Sequence, residues 1–506
     1  MTLLGKMVEP LPVVAPEKLE HDDRAQLIQH AARSVKWSIL YNTVPRFVTP
    51  FSTIILAALL TPADFGLVAI STFIIALARI IVDLGLGKAL IQRQTFINES
   101  ASLSLWLGLI ISASLYLLLW IAAPWFSVAY DDGRVTEVIR VSASSLLIYA
   151  TMTVPQALLR RKMEFYRLFW VNSSLMIIQA VVSVALALSG LGVWAIILGN
   201  LVGMIFSAIL AWSLVRWRPI FFMNWTLLRS MLGFSVWIMI ASFQNWLILY
   251  ADNAIAGLFL KVQGLGIYSL GFNFATLIPT FLVFSLSDVA YPVFCRLQES
   301  PKEVGLSLVR LQVLTATILF PLAFGLSAIA SPAIELLYEN KWMGLGMVIS
   351  IMAILPGLSA LWSLNENAYE AIGRPDIWTK LAGVSLLFLI PLLLISAPHG
   401  IFPFVIARFL GAILLPAGNV FIGARILGIR VKDQLKSLAF PFCCSIIMYI
   451  LVLIIKLQFS PFVGLTGWVK LVSTISIGAG IYLVLLWVFN RALWYRLLRS
   501  LHRMVS

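Results

Sequence analysis

Apolar residues run along this chain in unbroken stretches of about twenty residues, separated by short polar segments. A stretch of that length, coiled as an α-helix, crosses the hydrocarbon core of a bilayer. In lipid only helices and closed barrels satisfy their own backbone polar groups, and barrel strands alternate apolar and polar residues. The pattern therefore predicts an all-α, polytopic membrane protein whose spanning helices number about fourteen.

The predicted spans are joined by loops of no more than about twenty residues, so no soluble module is expected between them. They lie at roughly 35–60, 65–87, 102–123, 136–158, 168–188, 191–214, 231–255, 266–292, 307–330, 345–370, 378–397, 401–424, 438–457 and 468–489.

Two amphipathic segments flank the spans. Residues 18–34 predict a helix on the membrane surface, within a cytoplasmic N-terminal segment at 1–34. Residues 490–506 place leucines on one helical face and arginines on another, which predicts a basic amphipathic tail.

Charge is scarce and unevenly placed. Charged residues make up 11% of the chain, against about 25% in soluble domains, and the net charge is +14. If the N-terminus is cytoplasmic, 27 of the 36 Lys and Arg residues fall in inner segments and 6 in outer loops. The positive-inside rule therefore predicts that both termini are cytoplasmic, and the basic loops indicate orientation rather than nucleic-acid binding.

No cofactor site is expected from the reactive residue types. Cys295, Cys443 and Cys444 lack spaced partners, and the four histidines are scattered, so no metal cluster is predicted. The sequence has no Walker A segment and no glycine-rich nucleotide loop.

A faint repeat relates the two halves of the chain. Gly66 matches Gly266 and Asp83 matches Asp288, at an offset of about 200 residues and with both copies starting on the same side. Parallel repeats of this kind are typical of transporters built from two bundles. The predicted division is two six-helix bundles and two additional spans, at 35–215, 216–430 and 431–489.

The segment between the first two spans has the residues of a helix start. Thr61 suits the N-cap, Pro62 the first helical position, and Asp64 the third, where the helix dipole favours an anion.

This segment and several later ones share a pattern with a known family. The segments are LLTPADFG (59–66), DLGL (83–86), ALIQ (89–92), VPQALLRRKMEF (154–165), ADNAIAG (251–257), GLGIYS (264–269), KW (341–342) and AIGRP (371–375). In their order and spacing they resemble the lipopolysaccharide and exopolysaccharide flippase family of the multidrug/oligosaccharidyl-lipid/polysaccharide exporter superfamily. The resemblance runs from about residue 33 to 430, and Val262-Gln263 departs from the family's usual Leu-Gly.

The resemblance implies an activity and a location. Members of this family move an oligosaccharide on undecaprenyl pyrophosphate across the bacterial cytoplasmic (inner) membrane, where a polysaccharide polymerase or ligase then uses it. Neither a sugar chain nor a pyrophosphate crosses about 30 Å of hydrocarbon unaided. A polar, cationic cavity is therefore expected, with alternating access and the polyprenyl tail left in lipid.

Intramembrane arginines are the candidates for phosphate binding, because an unpaired arginine in lipid is costly and guanidinium suits bidentate binding of oxyanions. Arg46 lies in the first span and Arg408 in the twelfth. Each could instead pair with a carboxylate on a neighbouring helix. Arg79 is a third candidate; with Asp83 four residues later, it could form either a neutral pair or a gate that substrate releases.

Three other carboxylates, and Asp83, are candidates for coupling or gating. Asp252, Asp288 and Glu366 lie near span ends and could take a proton or sodium ion, so that an ion gradient drives transport. The alternatives are a helix cap, a salt bridge between bundles, or a solvated helix end.

Two other functions stay open at this point. A multidrug or cation antiporter of the same superfamily predicts acidic residues in the cavity. A membrane-embedded polymerase or ligase predicts polar catalytic groups on a sizeable outer loop, whereas the outer loops here are short.

Overall fold

The computed structural model describes residues 48–92, 95–222, 224–458 and 467–489, and within these ranges the chain is helical, with no strand. The predicted surface helix at 18–34, Arg46 and the predicted tail at 490–506 lie outside the described residues.

Sixteen helices follow one another along the described chain, with short 3-10 turns at Glu339–Trp342 and Ala397–His399. Their bounds are α1 Val48–Leu59, α2 Pro62–Asp83, α3 Leu86–Gln92, α4 Ile97–Ala129, α5 Arg134–Ala143, α6 Ser145–Arg161, α7 Phe165–Leu188, α8 Val193–Leu214, α9 Trp225–Arg296, α10 Pro301–Tyr338, α11 Leu345–Ala371, α12 Asp376–Ser396, α13 Ile401–Gly411, α14 Leu414–Ile426, α15 Val431–Gln458 and α16 Gly467–Phe489.

The helices confirm the predicted polytopic architecture. Eleven helical segments are long and apolar enough to cross a membrane, and the one within α9 folds back on itself to supply two predicted spans. α1 and α11 correspond to the predicted first and tenth spans. Each of the fourteen predicted spans therefore has a helix.

The connection between the predicted seventh and eighth spans is tighter than expected. The sequence predicts a loop between residues 255 and 266, but α9 breaks only at Lys261, which has φ 59° and ψ 176°. The two arms lie side by side, because the Tyr268 hydroxyl donates to Asp252 Oδ2 over 2.7 Å. The predicted connection is present but shorter than expected, because the backbone reverses at this one left-handed residue.

The start of α2 has the predicted cap. Asp64 N–H donates to Thr61 Oγ1 over 3.3 Å, and Thr61 N–H donates to Asp64 Oδ2 over 2.9 Å. Pro62 occupies the first turn, where its missing N–H leaves no donor unsatisfied. The reciprocal bonds fix where the chain enters the second span.

The two halves of the chain meet where the repeat places equivalent glycines. A Cβ added to Gly66 would lie 1.8 Å from the Val262 carbonyl oxygen, and one added to Gly266 would lie 1.8 Å from the Pro62 carbonyl oxygen. Residues 62 and 66 thus face residues 262 and 266 reciprocally, and only glycine permits this approach. We call this contact the glycine crossing.

Further contacts join the halves near the predicted outer ends of the helices. Lys261 Nζ lies 3.1 Å from Asp131 Oδ2 in the turn after α4. Three side chains that follow or end α10 also donate to carbonyls of α1. The pairs are Tyr338 with Ile54 at 3.1 Å, Lys341 with Ala58 at 2.9 Å, and Trp342 with Ala57 at 2.7 Å.

The last two helices are bonded to α10. Gln434 on α15 donates to Gln312 over 2.9 Å, and the Tyr482 hydroxyl on α16 donates to the Thr317 carbonyl over 2.7 Å. Lys456 reaches the Ala328 carbonyl over 3.1 Å. The division into bundles at 35–215 and 216–430 stays a prediction.

Candidate functional site

Three adjoining cavities run from between the two halves into the N-terminal half. The first, of about 660 Å³, lies among α1, α2, α7 and α9. It shares Thr72, Gln179 and Tyr250 with a second of about 300 Å³. The second shares Arg79 and Asn200 with a third of about 360 Å³, which extends toward the predicted inner end. We call the three together the central cavity.

Arg79 lies where the second and third parts of the central cavity meet. Its guanidinium carbon is 5.2 Å from the centre of the Tyr149 ring, and Nη2 is 3.5 Å from Met204 Sδ. Its Nε is buried without a hydrogen-bond partner. Among the described residues Arg79 forms no ion pair, so its charge is held only by a ring face and a sulfur atom.

Asp83 lies one turn beyond Arg79 but does not pair with it. Its carboxylate lines the third part of the central cavity together with Arg160, close to Gly87. The predicted pair between Arg79 and Asp83 is absent because Arg79 turns instead onto the Tyr149 ring. The roles predicted for Arg79 in substrate binding and for Asp83 in gating stay predictions.

The wall of the central cavity is otherwise rich in hydroxyl and amide groups. Asn200 on α8 donates to Gln179 on α7 over 3.2 Å, which holds both amides toward the space they share. The buried Ser183 hydroxyl and Asn253 Oδ1 have no hydrogen-bond partner among the residues that the structure describes, and both residues line the first part of the central cavity. Such groups can exchange hydrogen bonds with a polar ligand.

Arg408 and Asp252 form a buried ion pair behind the cavity wall. Arg408 Nε lies 2.9 Å from Asp252 Oδ2, and the two side chains are 13% and 2% exposed. The Tyr268 hydroxyl donates to the same oxygen, and the Asn253 backbone N–H donates to Oδ1 over 2.7 Å. The Arg408 guanidinium also lies over the Phe272 ring. Arg408 is therefore neutralised in this structure, by the neighbouring-helix pairing that the sequence left open.

The remaining predicted site residues lie elsewhere or beyond the described side chains. Arg46 falls outside the described residues, and Asp288 is part of α9 but its side chain is not among those described. Glu366 is half-buried on α11, next to the fully buried Asn365. The substrate-binding role of Arg46 and the coupling roles of Asp252, Asp288 and Glu366 stay predictions.

Several polar residues of these sites were missed by sequence reasoning. Tyr250, Gln179 and Asn200 line the central cavity, and the Tyr268 hydroxyl donates a hydrogen bond to the Asp252 carboxylate. Isolated amides inside apolar runs were a visible signal for Gln179 and Asn200, since lipid-facing amides are costly. The two tyrosines carried no comparable signal, because the sequence favours aromatic residues at membrane interfaces.

Comparisons with known proteins agree with this architecture. Residues 55–347, more than half of the chain, match the family described as "Polysaccharide biosynthesis protein". The teichuronic acid biosynthesis protein TuaB of Bacillus subtilis (strain 168) is 24% identical over 81% of this chain and 85% of its own length. The succinoglycan biosynthesis transport protein ExoT of Rhizobium meliloti (strain 1021) is 24% identical over 70% of this chain and 72% of its own length.

A solved structure shares the fold over almost its whole length. The lipid II flippase MurJ, in an inward closed conformation, superposes with a TM-score of 0.75 over 91% of this chain and 99% of its own, at 14% sequence identity. The helix order, the paired halves and the match over residues 55–347 agree with one another. The chain is a multi-pass membrane protein that belongs to the family of polysaccharide biosynthesis proteins.

Proposed function

We propose that the protein is a flippase that moves an oligosaccharide linked to undecaprenyl pyrophosphate across the bacterial cytoplasmic membrane. The glycan then serves a polysaccharide polymerase or ligase that builds surface or extracellular polysaccharide. Both termini lie in the cytoplasm, as the 27-to-6 distribution of basic residues indicates.

The unpaired charge of Arg79 carries this proposal. A buried arginine without a carboxylate costs at least about 2.5–3.5 kcal/mol in a membrane, so an intramembrane arginine that faces a cavity indicates a functional site. Its planar guanidinium matches the geometry of a phosphate oxyanion. The pyrophosphate therefore binds at Arg79, where the second and third parts of the central cavity meet.

The neutral polar wall suits the glycan. The first part of the central cavity offers hydroxyls and amides from both halves of the chain, including Gln179, Ser183 and Asn253. Sugar hydroxyls both donate and accept hydrogen bonds, as do these side chains. The glycan extends from the phosphate site into the space between the halves, and the polyprenyl tail stays in lipid.

Transport then follows alternating access, in which the halves separate first at one end and then at the other. The glycine crossing and the bonds from α10 to α1 support a state closed at the predicted outer end. Opening that end requires these contacts to break while the Arg79 site stays within the N-terminal half. An ion gradient acting through one of the predicted carboxylates remains our hypothesis for the energy source.

The two alternative functions have less support. An organic cation would meet the positive charge of Arg79 in the cavity, which disfavours the antiporter. The relatives and structures whose names state an activity include a transport protein and a flippase, which supports a transporter rather than an enzyme. A multidrug resistance transporter shares the fold as well, at a TM-score of 0.61 and 14% identity, so the fold does not separate the flippase from the antiporter and the charge of Arg79 does.

A leaflet assay tests the proposal in cells that depend on this chain for polysaccharide export. Replacing Arg79 by alanine removes the charge-assisted hydrogen bonds to the pyrophosphate, and we expect export to fall about tenfold or more. Lipid-linked oligosaccharide should accumulate in the inner leaflet, as measured by accessibility to a membrane-impermeant glycan-modifying enzyme. Arg79→Lys should retain part of the activity, because it keeps the charge and loses the bidentate fork.

Arg425→Ala is the matched control, since Arg425 is an exposed arginine at the end of α14, away from the central cavity. It should export at the wild-type rate. Normal export by Arg79→Ala, with the protein present at wild-type abundance, would refute the phosphate site.

A further inference from the structure

A fourth cavity lies at the predicted inner end of the N-terminal half, where three helix junctions meet. It has a volume of about 730 Å³ and is lined by the start of α4, the turn between α6 and α7, and the segment after α8. None of its lining residues lines the central cavity. We call it the junction groove.

Four basic side chains and two glutamates line the junction groove. Two of the basic side chains, Arg161 and Arg167, are already engaged in contacts within the protein. Arg167 pairs with Glu164 over 2.6 Å. Arg161 donates to the carbonyls of Leu90 and Ile91, at 3.2 and 3.0 Å, near the end of α3. These two arginines hold the junctions together.

The other two basic residues, Lys162 and Arg216, make no such contacts within the described part of the chain. Lys162 is exposed in the turn after α6, and Arg216 is exposed just after α8. Within the described part of the chain neither makes an ion pair or side-chain hydrogen bond. The groove thus presents two uncommitted positive charges from two separate segments. Among the described residues Glu99, in the first turn of α4, also lines the groove without an ion pair, so the uncommitted side chains keep a net positive charge, which suits an anionic group placed between Lys162 and Arg216.

Apolar side chains also line the groove, which lies at the predicted inner ends of the helices. Leu158, Leu159 and Val215 form its floor, and Phe96 at its rim is 65% exposed. Phe221, in the segment after α8, is 87% exposed, so this part of the surface also presents apolar side chains. A ligand that is anionic at one end and apolar at the other fits this wall better than a fully soluble anion does.

We propose that the junction groove binds the phosphate headgroup of an anionic glycerophospholipid of the surrounding membrane. Lys162 and Arg216 contact the phosphate, and the glycerol and upper acyl chains pack on the leucines of the floor. Basic pockets between helices at this interface are suited to such headgroups. The site is separate from the transport path, so the inference does not rest on the proposed function.

Native mass spectrometry of the purified full chain tests the proposal, with phosphatidylglycerol and phosphatidylcholine titrated separately. The variant Lys162→Gln/Arg216→Gln should bind phosphatidylglycerol about tenfold more weakly or worse, because each basic residue near an anionic lipid contributes about 1 kcal/mol. Lys162→Arg/Arg216→Lys keeps both charges and should retain binding, which separates loss of charge from misfolding.

Lys432→Gln/Lys436→Gln is the control, since it removes the same charge from exposed lysines at the same end, on α15. It should leave phosphatidylglycerol binding unchanged. Equal weakening in both glutamine pairs, or none in Lys162→Gln/Arg216→Gln, would overturn the site. Displacement of the lipid by soluble glycerol phosphate at equal concentration would overturn the lipid assignment and leave a free phosphate ester as the ligand.

Discussion

Arg79 and Arg408 have the same charge and lie in similar apolar helices, but only Arg408 has a carboxylate as its neighbour. Arg408 is held by Asp252 at 2.9 Å, whereas Arg79 has only a ring face and a sulfur atom. A buried pair that is neutral as a unit pulls less strongly on a phosphate than an unpaired cation does. For this reason the proposed phosphate site is centred on Arg79 and not on Arg408.

Removing one member of the buried pair should destabilise the protein more than removing both. Arg408→Met leaves the Asp252 carboxylate with three donors, from Tyr268 and Asn253, but no counter-charge, and we expect a loss of about 3–5 kcal/mol of stability. The double variant Asp252→Asn/Arg408→Met should recover much of that loss. Thermal unfolding in detergent measures both, and equal midpoints for the single and double variants would contradict the pairing.

The partners of these residues show how far sequence reasoning reaches. The spacing of Arg79 and Asp83 permits a helical pair, but the cavity offers Arg79 another rotamer, against Tyr149. Arg408 and Asp252 are 156 residues apart, so no local rule could select that partner among several carboxylates. The sequence marked these side chains as functional candidates, and only tertiary packing decides which of them are neutralised.

At the scale of helices, the glycine crossing brings α2 and the second arm of α9 into backbone contact. Approach this close is possible where side chains are absent, and it permits weak Cα–H···O contacts. The contact is reciprocal, with Gly66 facing residue 262 and Gly266 facing residue 62. The equivalent glycines of the sequence repeat therefore form the contact between the two halves.

A methyl group at either glycine should push the helices apart. We expect Gly66→Ala and Gly266→Ala each to lower stability by about 1–3 kcal/mol, the usual cost of overpacking. Gly325→Ala on α10 is the control, because an added Cβ there meets nothing within 4 Å. Midpoints of thermal unfolding compare the three, and a Gly66→Ala midpoint equal to that of Gly325→Ala would contradict the crossing.

Helix positions were more predictable than helix ends. Apolar runs fixed the spans because lipid requires them, and the Thr61–Asp64 cap followed from local hydrogen bonding. The sequence placed the reversal between residues 255 and 266 but not at the single residue Lys261, because the flanking residues are apolar and suit either a loop or two long arms. A left-handed lysine is disfavoured locally and persists because packing between the arms compensates for it.

At the scale of the whole molecule, the outer-end contacts predict that tethering the halves stops transport. Asp131 and Lys261 come from opposite halves and lie 3.1 Å apart at their charged tips. With cysteine at both positions, a short bifunctional thiol reagent should block polysaccharide export, and a reductant that cleaves the reagent should restore it. Export that continues under complete cross-linking would contradict separation of the halves at this end.

A tether within one half serves as the control. Asp376 and Lys380 form an ion pair at 2.8 Å on α12, so cysteines there accept the same reagent without joining the halves. Export should be unaffected. Both experiments need a background in which Cys295, Cys443 and Cys444 are replaced by serine or alanine.

The bonds between α10 and the last two helices have a mechanical consequence. Three side chains of α15 and α16 donate hydrogen bonds to α10, from Gln434, Lys456 and Tyr482. We therefore expect α15 and α16 to move together with α10 rather than independently of it. Whatever tilt α10 undergoes is passed on to them. Under the proposed alternating access, the lipids around α15 and α16 would therefore be displaced together with α10, on one side of the protein only.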